Sequence, residues 1–187
     1  MNPPTPHTRV FLTGFMGAGK STIGPSLAVG LGWRFVDVDD VIEDQVGMTI
    51  PELFDSRGEA HFREVERAVV SGLAVEDRVV VALGGGAFVD PVNRQTLTQL
   101  GLTVWLMVPA DILAGRLAPR AGARPLLQGA SGEALAGNAL RARIESLLQA
   151  RRPAYAQADI HFSPSVGSTP EHAAEQLREI LREHLSE

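Results

Sequence analysis

The sequence predicts a three-layer α/β domain in which helices cover both faces of a five-stranded parallel sheet. Stretches typical of strands and of helices alternate about five times along the 187 residues. Residues 78–83 and 102–108 are almost continuously apolar, as strands of a parallel sheet are when both of their faces are buried. Because ligands of such domains bind at the carboxyl ends of the strands, we expect the functional residues there.

The first part of the chain is predicted to begin with a strand that runs directly into a glycine-rich loop. Its elements, in order, are a strand (9–13), the loop (14–21), a helix to about residue 30, a strand (34–37) and a short helix (41–46). Thr49 to Glu52 and Ser56 to Glu59 each have the hydroxyl-to-glutamate spacing of a capping box. These two signals predict a helix over about 58–74.

The second part of the chain continues the alternation. Its predicted elements are a strand (78–83) ending in three glycines, a helix from Asp90-Pro91, a strand (102–108), a helix (110–118), a helix (138–152), a strand (158–162) and a terminal helix opened by Thr169-Pro170. Between the helices at 110–118 and 138–152, the chain is rich in proline, glycine and arginine. We predict a mobile lid over about 116–132.

Composition narrows the class of protein. The net charge of −5 and the pI of about 5.5 argue against nucleic acid as a partner. The sequence lacks cysteine, which is typical of a reducing compartment, and its first apolar run is too short for a secretion signal or a membrane span. We therefore expect a single cytoplasmic domain over 1–187, with no membrane partner and with residues 1–7 disordered.

The loop between the first strand and the first helix matches the phosphate-binding P-loop pattern, Gly14-x-x-x-x-Gly19-Lys20-Ser21. In such a loop, glycines let backbone N–H groups turn toward the phosphates, and the helix N-terminus adds partial positive charge. Lys20, the only lysine in the sequence, is predicted to reach the β- and γ-phosphates, and Ser21 to bind Mg²⁺. The predicted ATP-binding residues of the loop are Gly17, Ala18, Gly19, Lys20, Ser21 and Thr22. The alternative is a glycine-rich turn without a ligand.

Two carboxylates follow the second predicted strand. If that strand continued through Asp39, Asp37 and Asp39 would point to the same side, about 6.6 Å apart. Phosphoryl transfer commonly uses one carboxylate near the metal and another to accept the proton of the attacking hydroxyl. We assign Asp37 to the metal, through water, and Asp39 to the acceptor. The alternative is that Asp39 or Asp40 caps the helix predicted at 41–46.

Further motifs give the chain a specific resemblance. They are Asp37-Val-Asp-Asp40, Phe54 through Phe62-Arg63-Glu-Val-Glu66, Gly84-Gly-Gly86-Ala, Arg124-Pro-Leu-Leu127 and Arg151-Arg-Pro-Ala-Tyr155. In this order, over roughly residues 9–185, the chain resembles the shikimate kinase family. The resemblance implies a monomeric P-loop kinase fold like that of nucleoside monophosphate kinases. It also implies Mg²⁺-dependent transfer of phosphate from ATP to the 3-hydroxyl of shikimate, in chorismate and aromatic amino-acid biosynthesis.

The resemblance also assigns roles to individual residues. It implies that the acceptor is bound by Asp39, Arg63, Gly84, Gly85, Gly86 and Arg151, in a pocket lined by Phe54 and Phe62. It further implies that Arg124, in the predicted lid, contacts ATP and the transferring phosphate, which makes Lys20, Asp39 and Arg124 the catalytic residues. Shikimate carries one carboxylate and three hydroxyls, which suits two guanidinium groups and an aspartate.

Several of these assignments have alternatives. Arg63 could be a solvated helix residue paired with Glu59 or Glu66, or Glu66 could hold it in place. Phe54 and Phe62 could be core residues, the glycine run could be an ordinary turn, and the carboxylate partner could be Arg152 instead of Arg151. Arg116 and Arg120 lie in the same region as Arg124 and either could take part, with a surface role as the default for both. The loop 163–169 lacks the basic residue that family members often carry near the adenine, so the base contacts stay open.

Other functions also remain possible for such a sequence. The nearest are a P-loop kinase for gluconate or a nucleoside monophosphate, and an ATP-binding regulatory protein without catalysis. The second is disfavoured because Lys20, Ser21, Asp37, Asp39 and Arg124 are all present.

Overall fold

The computed structural model describes residues 7–129, 131–165 and 167–185, and within these ranges five strands form one parallel sheet. The strands are β1 (Arg9–Thr13), β2 (Arg34–Asp37), β3 (Val79–Ala82), β4 (Leu102–Leu106) and β5 (Ile160–Phe162). The α-helices are α1 (Lys20–Leu31), α2 (Val38–Val46), α3 (Ile50–Gly72), α4 (Pro91–Leu100), α5 (Ala110–Leu117), α6 (Gly137–Tyr155) and α7 (Pro170–Leu181). The predicted α/β class and parallel sheet are confirmed.

The sheet has the strand order β2-β3-β1-β4-β5, so β1 lies at its centre. Val10 of β1 pairs with Val80 of β3 on one side and with Leu102 of β4 on the other. All strands run in the same direction, so their carboxyl ends meet at one edge. The loops that follow β1, β2 and β3 therefore lie side by side.

Both faces of the sheet are covered by apolar side chains. Successive residues of β1 point to opposite faces, as the period of a strand requires. Phe11 packs in a core with residues of α2, α3 and α4, whereas Val10 and Leu12 pack in a second core with residues of α1 and α7. A third core contains Phe15 of the glycine-rich loop and joins it to α5 and α6. The glycine-rich loop is thereby attached to the region of the predicted lid.

The second strand ends at the predicted residue, but the helix after it begins earlier than predicted. β2 ends at Asp37, and α2 begins at Val38 instead of residue 41. Asp37 is the N-cap, because its Oδ1 accepts a hydrogen bond of 3.0 Å from the backbone N–H of Asp39. The predicted strand over 34–37 is therefore confirmed, and the strand does not extend to Asp39. The expectation that Asp39 or Asp40 caps the helix is wrong, because Asp37 does so. A capping carboxylate stops the strand because it offers the backbone a partner outside the sheet.

The helix predicted from residue 58 begins eight residues earlier. The Thr49 capping box forms, with the Thr49 N–H donating to Glu52 Oε2 at 2.8 Å, and it starts α3. The second capping box, at Ser56, does not form, because the Ser56 hydroxyl donates to the carbonyl of Glu52 within the helix. Gly58 interrupts the helix with φ 78°, so the chain changes direction close to the predicted start.

The other predicted elements are found with small shifts at their ends. Strands β3, β4 and β5 are shorter than predicted, and α6 continues to Tyr155 although Pro153 lies within it. The region of the predicted lid forms short 3₁₀ turns at Ala118–Ala123 and Pro125–Leu127. Of the segment expected to be disordered, residues 1–6 lie outside the described residues, whereas His7 bridges to Leu185.

Candidate active site

The P-loop pattern is realised as a turn between β1 and α1. Gly14, Gly17 and Gly19 all have positive φ, of 139°, 77° and 103°. At Gly14 a Cβ would also lie only 2.8 Å from the carbonyl oxygen of Leu106, so a side chain would displace β4. The loop thus requires glycine both for its backbone angles and for its close approach to the neighbouring strand.

Lys20 lies inside this turn and is almost entirely buried. Its Nζ donates to the carbonyl oxygens of Gly14 at 3.0 Å and Phe15 at 3.2 Å. Burial lowers the pKa of Lys20 to about 8, although the carboxylates of Asp39 and Asp37 oppose that shift. A buried ammonium group that is held only by carbonyls gains from an anion placed next to it. Lys20 is therefore suited to bind phosphate.

A cavity of about 510 Å³ opens beside the turn. Its wall contains the predicted nucleotide residues Gly17, Ala18, Gly19, Lys20, Ser21, Thr22 and Arg124, together with Arg116, Arg120, Pro164, Ser168, Thr169 and Pro170. Arg116 Nη1 donates to the carbonyl of Gly17 at 3.0 Å. Arg116 and Arg120 are exposed, as the default surface role predicts, and both also line this cavity with Arg124. Their proximity in sequence to Arg124 was the signal that indicated a position at this cavity.

Ser21 and Asp37 place two oxygen ligands at the start of α1. The Ser21 hydroxyl donates to Asp37 Oδ2 at 2.5 Å, while Asp37 Oδ1 caps α2. A hydroxyl and a carboxylate are ligands suited to Mg²⁺, which commonly completes its octahedron with water and substrate phosphates. No group of three or more metal-binding acidic, histidine or cysteine side chains occurs in the parts of the chain that the structure describes. The residues present fit an ion that is held largely by a nucleotide.

A second cavity, of about 250 Å³, meets the first at Gly17, Lys20, Ser21 and Arg124, which line both. Its wall contains all of the predicted acceptor residues, Asp39, Phe54, Phe62, Arg63, Gly84, Gly85, Gly86 and Arg151, together with Asp37, Glu66, Met16, Ile50, Leu83 and Leu126. Residues that are more than one hundred positions apart in the sequence therefore converge at the carboxyl edge of the sheet. The predicted catalytic residues Lys20 and Arg124 lie where the two cavities join.

Asp39 lies in the first turn of α2 and faces this second cavity. Burial raises its pKa, and the neighbouring carboxylate of Asp37 adds to the shift, while the ammonium of Lys20 opposes it. A Cβ at Gly84 would lie 2.7 Å from Asp39 Oδ1, so the glycine makes room for this carboxylate. A carboxylate whose proton affinity is raised in this way is a better general base.

Arg63 is held by two carboxylates and still lines the cavity. Its Nη1 lies 2.9 Å from Glu66 and its Nη2 lies 3.1 Å from Glu59, so the ion pairs considered as an alternative do form. Glu66 is only 1% exposed, and burial raises its pKa against the influence of the Arg63 guanidinium. The other oxygen of Glu66 is buried without a partner among the described residues. The ion pairs orient Arg63 in the cavity wall.

Phe54 and Phe62 belong both to the core and to the cavity. Their ring centroids lie 4.7 Å apart, and the guanidinium of Arg63 stands 5.0 Å from the Phe62 ring. Both rings project from α3: Phe62 is buried in the core, while Phe54 is partly buried and packs against it. The two rings therefore line the cavity and pack with the core at the same time.

Arg151 and Arg152 occupy different surroundings. Arg151 Nη1 donates to the carbonyl of Gly85 at 3.1 Å, and its guanidinium stands 5.5 Å from the ring of Phe15. Arg152 is exposed and lines a separate depression with Trp105. Arg151 is the member of the pair that reaches the candidate acceptor cavity.

Comparisons with known proteins agree with this geometry. A family model described as shikimate kinase matches residues 16–182. A shikimate kinase of Thermus thermophilus is 41% identical over 97% of this chain and 94% of its own length, and one of Salinibacter ruber is 48% identical over 79% and 72%. The solved shikimate kinase from Acinetobacter baumannii in complex with shikimate is 35% identical, covers 96% of both chains and has a TM-score of 0.82. The chain belongs to the shikimate kinase family.

Proposed function

We propose that this protein transfers the γ-phosphate of ATP to the 3-hydroxyl of shikimate, giving shikimate 3-phosphate and ADP. The observation that carries the proposal is the meeting of the two cavities at Lys20, Ser21 and Arg124. One cavity has the P-loop of a nucleotide site, and the other combines an aspartate with two arginines. A phosphate donor in the first cavity would present its terminal group to an acceptor in the second.

The acceptor cavity has the polar groups that shikimate needs. Arg63 and Arg151 lie on its wall and supply guanidinium groups for the carboxylate. The backbone at Gly84–Gly86 lies close to the cavity wall because glycine has no side chain. A Cβ at Gly86 would lie only 2.8 Å from Arg63 Nη1. Phe54 and Phe62 provide apolar contact for the ring carbons. We propose that the helical region over 38–72 forms the acceptor-binding part of a single domain.

Phosphate transfer requires a base, a positive charge and an aligned nucleophile. The oxygen of the acceptor hydroxyl forms a bond to the γ-phosphorus while Asp39 takes the proton of that hydroxyl. The bond between the γ-phosphorus and the oxygen that leaves with ADP breaks. Lys20 and the N–H groups of the P-loop hold the phosphates, and Arg124 offsets the negative charge on the transferring group. The raised pKa of Asp39 supports its assignment as the base.

Mg²⁺ is proposed as the required ion, held by Ser21 and, through water, by Asp37. When bound, it would neutralise part of the phosphate charge. Asp37, the carboxylate that would hold the ion, also accepts the capping bond from the N–H of Asp39, so it is linked to the turn that carries the base. We further propose that the segment at about 116–132 closes over the nucleotide as a lid and excludes water.

The experiment that tests this function measures ADP release from Mg·ATP with shikimate, gluconate, a mixture of nucleoside monophosphates or no acceptor. Stimulation by shikimate alone is the expected result, and ³¹P NMR of the product should show a phosphate monoester on the 3-hydroxyl. Stimulation by another acceptor would replace shikimate in the proposal. ATP binding without turnover on any acceptor would favour a regulatory ATP-binding protein instead.

We also propose that the protein acts as a cytoplasmic monomer, on the basis of its cysteine-free sequence and of the family it belongs to. In the described parts of the chain, no helix is long and apolar enough to cross a membrane.

A further inference from the structure

Tyr155 is a buried residue beside the acceptor cavity, and the proposed reaction gives Tyr155 no role. It is the last residue of α6 and has no exposed surface. Its ring packs 5.8 Å from that of Trp105 in β4, and its hydroxyl donates to the carbonyl of Gly85 at 2.6 Å. Tyr155 is not among the residues that line the acceptor cavity.

The carbonyl of Gly85 is bound by two side chains from the same helix. Tyr155 follows Arg151 by four residues, so both lie on one face of α6. The Tyr155 hydroxyl and Arg151 Nη1, at 2.6 Å and 3.1 Å, together use both lone pairs of that oxygen. One backbone atom thus connects the glycine run to the arginine that faces the acceptor.

Fixing this carbonyl also fixes the orientation of the glycine backbone. A peptide unit is planar and trans, so the N–H of Gly86 points away from the carbonyl of Gly85. Among the described residues, the N–H groups of Gly85 and Gly86 donate to no other protein atom. Glycine has the largest conformational freedom of any residue. The following turn holds the carbonyls of Gly84 and Gly86, which accept from the N–H groups of Ala87 and Val89, and the two side chains of α6 add a restraint at Gly85 between them.

We propose that Tyr155 is a positioning residue of the acceptor site, which acts through Gly85 and Arg151 without touching the acceptor. Its hydroxyl keeps the glycine backbone and the Arg151 guanidinium in the arrangement that receives the acceptor's carboxylate and hydroxyls. The hydroxyl is a donor at neutral pH because the ordinary pKa of tyrosine is about 10, and burial raises the pKa of Tyr155 further although Arg151 opposes the shift. This inference rests on the proposed function of the same cavity.

The experiment compares Tyr155→Phe with Thr103→Val. Both variants remove one buried hydroxyl that donates a hydrogen bond, since Thr103 Oγ1 lies 2.6 Å from Asp159 Oδ2 near the amino end of β4, away from the active-site edge. In Tyr155→Phe, we expect the KM for shikimate to rise about three- to tenfold, with kcat and the KM for ATP changed less than about twofold. In Thr103→Val, all three constants should stay at their wild-type values even if the melting temperature falls.

A second measurement does not depend on the variants folding. Tyr155 is the only tyrosine of the chain, so labelling with 3-fluorotyrosine places a single ¹⁹F probe at this site. Addition of shikimate should shift the ¹⁹F resonance, and the shift should saturate with concentration. Addition of gluconate should leave the resonance unchanged.

The outcomes separate this inference from the proposed function. An unchanged KM for shikimate in Tyr155→Phe, or an equal rise in Thr103→Val, would overturn the positioning role and leave the proposed function intact. A ¹⁹F resonance that does not move while the wild-type protein turns over shikimate would have the same meaning. Wild-type protein that neither turns over shikimate nor shows a ¹⁹F shift would overturn both proposals.

Discussion

The nucleotide cradle, meaning the first cavity together with the P-loop beside it, shares Lys20, Ser21 and Arg124 with the acceptor cavity, but the two are built in different ways. The phosphate-binding part of the cradle is one continuous segment, 14–22, and its shape comes from glycine backbone angles and the start of α1. The acceptor cavity brings together side chains from α2, α3, α6 and the loop after β3. Backbone donors recognise phosphate in any nucleotide, whereas specificity for one acceptor needs side chains that other side chains hold in place.

The largest effect is expected at Asp39, the residue that we propose takes the acceptor's proton. Asp39→Asn keeps the size of the side chain but removes the base, so kcat should fall by about 10³- to 10⁴-fold. The affinity for ATP, measured by calorimetry, should change little because the cradle is intact. Asp40→Asn is the matched control, since Asp40 is the exposed neighbour in the same turn, and it should keep wild-type kcat. Retained turnover in Asp39→Asn would show that another residue serves the acceptor.

A change in the cradle should damage both halves of the site. Lys20→Met removes the buried charge where the cavities meet, so we expect weaker ATP binding and a loss in kcat on the order of 10²- to 10³-fold. Titration with a fluorescent ATP analogue separates the two effects. Normal nucleotide affinity in this variant would contradict the assignment of Lys20 to the phosphates.

A change confined to the acceptor side should leave the nucleotide unaffected. Arg63→Lys keeps the charge but loses the planar fork that pairs with Glu66 and Glu59 and faces the cavity. We expect the KM for shikimate to rise about 10- to 50-fold, with an unchanged KM for ATP. Steady-state kinetics in both substrates measure this difference. Arg57→Lys, at an exposed position on the same helix, should have wild-type constants, and a raised KM there would indicate a general effect on α3.

The smallest effect is expected from pH. The pKa of Lys20 is lowered to about 8 in the ligand-free protein, so Lys20 is charged below that pH and loses its proton above it. Because phosphate binds the charged form, the affinity for ATP should weaken by up to about tenfold per pH unit above this pKa. The affinity for shikimate should not weaken over the same pH range. Stopped-flow or calorimetric binding from about pH 7 to about pH 9.5 tests the difference, and a flat ATP profile would contradict it.

Prediction from the sequence succeeded where local signals act alone. The Thr49 capping box, the Asp90-Pro91 helix start and the P-loop turn all form as their residues predict. It failed at the start of α2, where Asp39 or Asp40 was considered as the cap but Asp37 accepts the capping bond from Asp39 N–H. The Ser56 capping box failed because the helix from Thr49 had already taken up that segment. In both cases, two acceptable local structures competed, and the surrounding chain selected one.

The sequence by itself determined the α/β class, the phosphate loop and the residue types of an acceptor site. The class depends on short-range periodicity and the phosphate loop on a motif whose spacing is local, whereas the acceptor residues were assigned through the resemblance to shikimate kinases. Only the tertiary structure decided that Arg151 and not Arg152 reaches the cavity, that Arg116 contacts the P-loop, and that Tyr155 binds Gly85. The physical reason is that a helix directs neighbouring residues to different sides, and its rotation is set by packing against distant strands.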